Sequence, residues 1–163
     1  MNAAELKKRA KELGADLIGI APYERWADLA PDKNPRSIMP RCQSVIVIGR
    51  KILRGAFRGV EEGTNFQSTY GIYGRDWHEG TFFPRVTYAL CNELERCGAE
   101  AMPMSGGVPG GENKIIGNEG VAANVSLDSK FFAQAAGLGS VGKGGFFLTS
   151  KYGHRQRLAL ILT

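Results

Sequence analysis

The densest run of chemistry-bearing residues is Gly137-Leu138-Gly139-Ser140-Val141-Gly142-Lys143-Gly144. Gly137, Gly139 and Gly142 spell the G-x-G-x-x-G dinucleotide pattern. Gly137 to Lys143 spell the G-x-x-x-x-G-K of a phosphate loop that lacks its closing Ser or Thr. Both patterns work by laying phosphate on the N-terminus of a helix that follows a strand. The flanking residues predict the reverse order, with Phe131 to Ala136 as helix and Gly145 to Thr149 as strand. Gly144 stands where a magnesium-binding hydroxyl belongs. No acidic residue follows about 20 positions on to hold a ribose. A nucleotide site at Gly137–Lys143 is therefore the lesser alternative. A packing turn and a backbone cradle for another large ligand are the others.

Other reactive residue types are sparse. His78 and His154 are the two histidines, and neither has Cys or His at ligand spacing, which argues against zinc. The three cysteines are Cys42, Cys91 and Cys97. An odd, low count speaks against a disulfide framework and for a reducing, cytoplasmic setting. Three thiols cannot supply four-cysteine ligation of an iron–sulfur cluster. Cys91 and Cys97 are expected to be buried small hydrophobes. Asp128 stands before Ser129 as a good helix N-cap. After Asp128 the chain has no acidic residue, whereas Lys130, Lys143, Lys151, Arg155 and Arg157 follow. That basic third suits an anionic ligand or a solubilising surface.

The elements that must position these residues can be read from periodicity. Residues 3–13 carry Leu6, Ala10 and Leu13 at helical spacing, and Gly14 is a natural stop. Leu17 to Ile20 reads as a short strand. Four prolines between Ala21 and Pro40 imply an irregular connection. Ser44 to Gly49 is a β-branched run, expected to be a strand buried on both faces. Residues 50–80 show no clean period and read as a loop. It carries Arg50, Lys51, Arg54, Arg58 and Arg75 among Phe57, Phe66, Tyr70, Tyr73 and Trp77, a basic surface for tRNA phosphate or a lid over a cofactor. Helical spacing returns from about Thr81 to Arg96. Ala99 to Met104 is a candidate strand, and the six glycines of Ser105 to Gly120 mark a loop able to approach a ligand closely. A helix from Ser129 to Ala136 should end at Gly137. Phe146 to Thr149 and Leu158 to Thr163 read as two strands around a turn at Tyr152-Gly153. Helices and strands do not alternate as βα units, so the fold class is α+β, with helices packed on one largely antiparallel sheet.

Composition bounds the rest. The chain has 163 residues, with 43% hydrophobic and 23% charged, which fits one globular domain, residues 1–163. Glycine is the outlier at 22 residues. No run of ~18 apolar residues is present to span a membrane, and the first residues lack the apolar core of a signal peptide. The net charge of +5 is by itself a solubilising surface.

Several of these segments, taken in order, resemble one family. Leu127-Asp128-Ser129, then Ala136-Gly137-Leu138-Gly139-Ser140-Val141-Gly142-Lys143, is similar to the D-S/T-G-P run, helix and A-G-L-G-x-x-G-K of the epoxyqueuosine reductases and the related corrinoid-dependent reductive dehalogenases. Leu148-Thr149 through Lys151-Tyr152-Gly153 to Arg157-Leu158 resembles the dehalogenase-like L-L/I-T-P-x-Y-G-P-R-x-R-L. Tyr70 through Gly74-Arg75-Asp76-Trp77-His78 resembles Y-A-x-G-x-D-Y-H. Met39-Pro40 with Ser44 to Val47 is similar to L-P-x-A-K-S-V-I-V, and Leu13 to Ile20 also fits. Lys130-Phe131 stand where the family has Gly-Pro, so a paralogue of another substrate is at least as good a reading as an enzyme of epoxyqueuosine itself.

The resemblance implies a cobalamin-binding domain with a nitroreductase-like or flavin-reductase-like sheet flanked by helices, FMN being the alternative cofactor. It implies cobalt-mediated reductive removal of oxygen or halogen from a small-molecule or tRNA-borne substrate, with a non-catalytic corrinoid- or flavin-binding module as the alternative. Asp128 would be the proton donor and Tyr152 a second acid. Gly137, Gly139 and Gly142 would lie against the corrin face with Leu138 and Val141, while Ser140 and Lys143 would bond its periphery. Arg36, Tyr70, His78 and Ser129 fall near cofactor positions of the family, and no residue is implied as a protein ligand to the metal. The family continues into a ferredoxin-like module with two 4Fe–4S clusters. This chain ends at Thr163, where that module is expected to begin, so the electrons are expected from that module or from a partner, and the chain alone is expected to be inactive.

Overall fold

The computed structural model describes residues 1–104 and 125–163. The loop expected over Ser105 to Gly120 lies outside the described residues. In chain order the elements are α1 (Ala3–Glu12), β1 (Leu17–Pro22), β2 (Ser44–Lys51), α2 (Arg58–Glu61), α3 (Phe83–Arg96), β3 (Met102–Met104), α4 (Ser129–Ala135), β4 (Ser140–Val141), β5 (Phe147–Leu148) and β6 (Gln156–Leu162). The main sheet runs β1-β2-β6-β3, every pair antiparallel, and β4-β5 form a separate hairpin. The architecture is α+β, as the sequence predicts.

Strand periodicity explains the layers. Successive side chains point to opposite faces. Ile46 and Ile48 of β2, with Ala159 and Ile161 of β6, enter one core beside Leu6 and Ala10 of α1 and Phe83, Val86, Leu90 and Leu94 of α3. Val45 and Val47, with Leu160 and Leu162, enter a second core with Trp26, Met39 and the α4 residues Phe132 and Ala133. A β-branched run without polar interruption is what a strand covered on both faces needs. The N-terminal helix starts at a capping box, in which Asn2 accepts from the Glu5 backbone and Glu5 accepts from the Asn2 backbone.

The stretch read as a loop over residues 50–80 is largely helical. A tight turn at Arg54–Phe57 leads into α2, and Gln67–Asp76 and His78–Phe82 form wide helical turns that run on into α3. The Gly71 amide donates to the Phe66 carbonyl five residues back, at 2.8 Å. Bonds of this i→i+5 kind widen the turn beyond 3.6 residues, so a helical pattern sought at 3.6 fails to register.

Two smaller expectations are also corrected. The strand near Phe147 pairs with β4 rather than turning back onto β6. Cys91 is buried as expected, and burial pushes its thiol up to about 12, whereas Cys97 is exposed at the end of α3. Cys42 and Cys91 sit in the two different cores, so the three thiols do not converge. No helix among the described residues is long and apolar enough to cross a membrane.

Phe132 anchors α4 to the sheet, stacking edge-on against Trp26 at 6.3 Å. Phe132→Ala should lower unfolding stability by about 3–5 kcal/mol, a large part of the ~5–15 kcal/mol available to a domain. Denaturant unfolding would measure it.

Candidate functional site

The sheet leaves a gap that positions the site. β6 has seven residues, and β3 pairs only with Leu160, Ile161 and Leu162. Among the described residues, Gln156 to Ala159 therefore have no partner strand on that side. A cleft of about 990 Å³ opens there. Its floor is Gln156 to Leu160 with Met102 to Met104. One wall is Ile52, Phe57, Tyr70 and Glu79. The other is Val125 to Lys130 and Gly145 to Phe147, with His154 beside it.

Both walls are held by polar contacts. Arg157 on the floor pairs with Glu79 on the helical wall. Phe57 packs on Tyr70 at 5.2 Å and edge-on to His154 at 6.0 Å. On the opposite wall Asp128 caps α4, its Oδ1 accepting from the Lys130 amide at 2.9 Å. The Lys130 ammonium donates to the Gly145 carbonyl at 3.2 Å and ties the helix start to the hairpin. Gln156 secures the hairpin base by donating from Nε2 to the Phe147 carbonyl at 2.8 Å and accepting at Oε1 from the Thr149 hydroxyl at 3.1 Å.

The residues singled out by sequence divide into two sets. Tyr70, Asp128 and Ser129 line the cleft together. Asp128 is exposed at its mouth rather than enclosed. The remainder do not line it. Arg36 lies over the Tyr23 ring at 3.5 Å and donates to the Cys42 carbonyl at 3.0 Å, a structural role at the foot of β2. Tyr152 is buried, with its hydroxyl 3.5 Å from Asp16 Oδ1. His78 is buried behind the helical wall, its Nε2 3.2 Å from the Lys51 carbonyl oxygen.

The glycine run is a helix-to-hairpin connection, so it lacks the following helix on which the nucleotide alternative depends. α4 ends at Gly137, whose φ of +74° is the left-handed conformation that closes a helix. Leu138 packs in the second core. Ser140 and Val141 form β4, and Gly142 to Gly145 turn back into β5 with Lys143 exposed. A helix N-terminus to receive phosphate does not follow the run. Gly139 is forced by packing, because a Cβ there would lie 2.0 Å from the Leu148 carbonyl oxygen.

Sequence reasoning missed the Glu79–Arg157 pair, His154, Phe146 and the Lys130 tether. Arg157 and Lys130 were visible as part of the basic last third, but only the fold shows which of its cations face the cleft. Phe57 and Tyr70 were visible among the aromatics of a presumed lid.

No family model matches the chain, and no curated protein matches its sequence. Solved structures do share its fold. One is an epoxyqueuosine reductase from Bacillus subtilis with its aspartate catalytic loop swung out of the active site, at 17% identity and a TM-score of 0.57, matching 98% of this chain and 44% of that one. Another is a catabolic reductive dehalogenase, at 17% identity and a TM-score of 0.65, matching 96% of this chain and 20% of that one. A third is a reductive dehalogenase whose structure suggests a mechanism for B12-dependent dehalogenation, at 18% identity and a TM-score of 0.58, matching 97% of this chain and 18% of that one. The chain thus spans less than half the length of each.

Replacing Asp128 separates capping from any other duty. Asp128→Ala should cost about 0.5–2 kcal/mol of stability, while Asp128→Asn should be nearly neutral because Asn caps as well as Asp. Thermal unfolding of the two variants side by side would check both.

Proposed function

We propose that this chain is the corrinoid-binding part of a reductase that removes an oxygen or a halogen from a substrate carbon. The observation that carries the reading is that Tyr70 and Asp128, far apart in sequence, face one cleft in a fold shared with an epoxyqueuosine reductase and a B12-dependent dehalogenase. The cleft, at about 990 Å³, stands at the upper end of the ~300–1,000 Å³ usual for ligand sites, which suits a large ligand. The rings of Phe57, Tyr70, Phe146 and His154 offer aromatic contact area to a large ligand. Among the described residues no three His, Cys, Asp or Glu are grouped to hold a metal ion. A cofactor that brings its own metal in a macrocycle fits that donor set better than a protein-ligated ion.

When bound, a corrinoid supplies the low-valent cobalt that carries the reducing electrons. The protein's part is orientation and proton supply. Ser129 and Lys130 present polar groups to the ligand's edge. Asp128 is placed to relay the proton that the substrate needs after the carbon–oxygen or carbon–halogen bond breaks. Gly137 to Lys143 act by fixing the hairpin whose Gly145 to Phe147 form the wall. Electrons come from a separate two-cluster module or a partner protein, since this chain's thiols do not converge. The substrate is a small molecule or a modified base carried on tRNA, and the sheet with its flanking helices is of the nitroreductase-like kind.

Titration of the purified chain with cobalt(II) cobalamin, followed by visible absorption and EPR, tests the reading. A saturable spectral change in the low-micromolar range is expected. No change with cobalamin, together with a saturable shift on adding FMN, would assign the cleft to a flavin instead. In the complete electron-transfer system, Asp128→Asn should leave binding unchanged and lower turnover by about 10²–10⁴-fold, the usual share of a general acid.

A further inference from the structure

His78 is 2% exposed, and its Nδ1 is a buried polar atom without a hydrogen-bond partner among the described residues. The Nε2 faces the Lys51 carbonyl oxygen at 3.2 Å. A carbonyl only accepts, so Nε2 carries the hydrogen and Nδ1 is bare. This bond is the point at which the wide helical segment is fastened to the end of β2. That segment carries Tyr70 and Glu79, which form the cleft wall, while the sheet carries Arg157, which forms its floor. The Glu79–Arg157 pair is a second polar tie between this segment and the sheet, and the neighbouring turns have no side-chain caps at Phe66 or Trp77. Trp77 packs edge-on to the imidazole at 5.1 Å and stacks on Phe82 at 5.6 Å.

We propose that neutral His78 is the pin that docks the cleft wall onto the sheet, and that its protonation releases the wall and opens the cleft. Protonation would place a charge and an unanswered N–H in an apolar pocket. The charged groups around the ring do not compensate. Arg157 approaches from β6 and is held by Glu79, the ring's own neighbour in sequence. Arg50 approaches from β2, where it lies over Phe82 at 5.2 Å and is paired with Asp16 at 3.4 Å. Among the described residues Asp16 is the acid that acts on the ring, and it is already engaged by Arg50, the Lys51 amide and the Tyr152 hydroxyl. Burial is the largest influence on His78 and pushes its pKa below the ordinary value of 6.5; the Lys51 bond opposes this, and Arg157 and Arg50 add to it. A lowered folded pKa means that the wall's docking is fully present above pH 6.5 and is lost as pH falls below that value toward the folded pKa.

The inference does not depend on which cofactor the cleft takes, and its test uses the chain without one. His78 and His154 are the two histidines, so both can be followed separately by NMR of ring-labelled protein while amide exchange is measured from pH 8 to pH 5. His78 is expected to show the Nε2–H tautomer and to titrate below the ordinary histidine value of 6.5. Amide protection in residues 66–82 should fall by up to about tenfold per pH unit below 6.5, while β2 and β6 keep theirs. His78→Gln retains a donor for the Lys51 carbonyl but cannot titrate, so its wall should lose that pH dependence. An ordinary titration of His78 without loss of wall protection would overturn the proposal. So would parallel loss of protection in β2 and β6, or an unchanged pH dependence in His78→Gln. Should that variant fail to fold, the wild-type comparison of wall against sheet decides alone.

Discussion

The unequal length of two neighbouring strands governs the architecture. β6 outruns β3, so among the described residues part of a strand at the centre of the fold is left without a neighbour on one side. An exposed strand edge presents unpaired amides and carbonyls and must be blunted or covered. Here two separate pieces of chain flank the gap. The helical segment before α3 closes it from one side, and the start of α4 with the β4-β5 hairpin closes it from the other. Neither piece is part of the main sheet. The cleft is thus a consequence of register, and its chemistry comes from the pieces that flank it.

This division explains what could be read from the sequence. β2 was legible because a strand covered on both faces has no polar alternation to confuse it. The ends of α4 were legible because Asp128 and Gly137 are residue types that suit those two positions. The wall from Arg54 to Phe82 was not legible. Its glycines at 55, 59, 63, 71, 74 and 80 break any apolar stripe, and its wide turns do not follow the 3.6 period. The Gly137 to Gly144 run shows the opposite failing. Its letters fit two phosphate-binding patterns, yet those patterns depend on a helix that follows, and here a hairpin follows. Element order, which the neighbouring residues already implied, decides the chemistry more firmly than the letters do.

The glycine run still matters to the site, at one remove. Gly137 turns the chain sharply out of α4, and Gly139 lets the returning β5 backbone come close. Together they fold the hairpin against the helix that Asp128 caps. The Lys130 tether to Gly145 then crosses between the two. Helix cap, sharp turn and hairpin therefore form one wall, and a change in any of them would move Asp128 relative to the floor.

Asp128 stands at the meeting point of these constraints, and its capping role is compatible in space with the proton-donor role proposed for it. Capping uses Oδ1, leaving Oδ2 without a partner among the described residues. The chain on either side is tethered, by the Ser126 amide to the Asp32 carbonyl at 2.9 Å and by the Lys130 side-chain ammonium to the Gly145 carbonyl. The carboxyl group is therefore positioned before any ligand arrives, which is the geometric part of catalysis. What it lacks is shelter, since it is exposed at the cleft mouth. A proton donor works best where water is excluded. A large, flat ligand seated on the floor would itself provide that exclusion, covering the mouth from within. In this arrangement the cofactor would complete the environment that its own reaction requires.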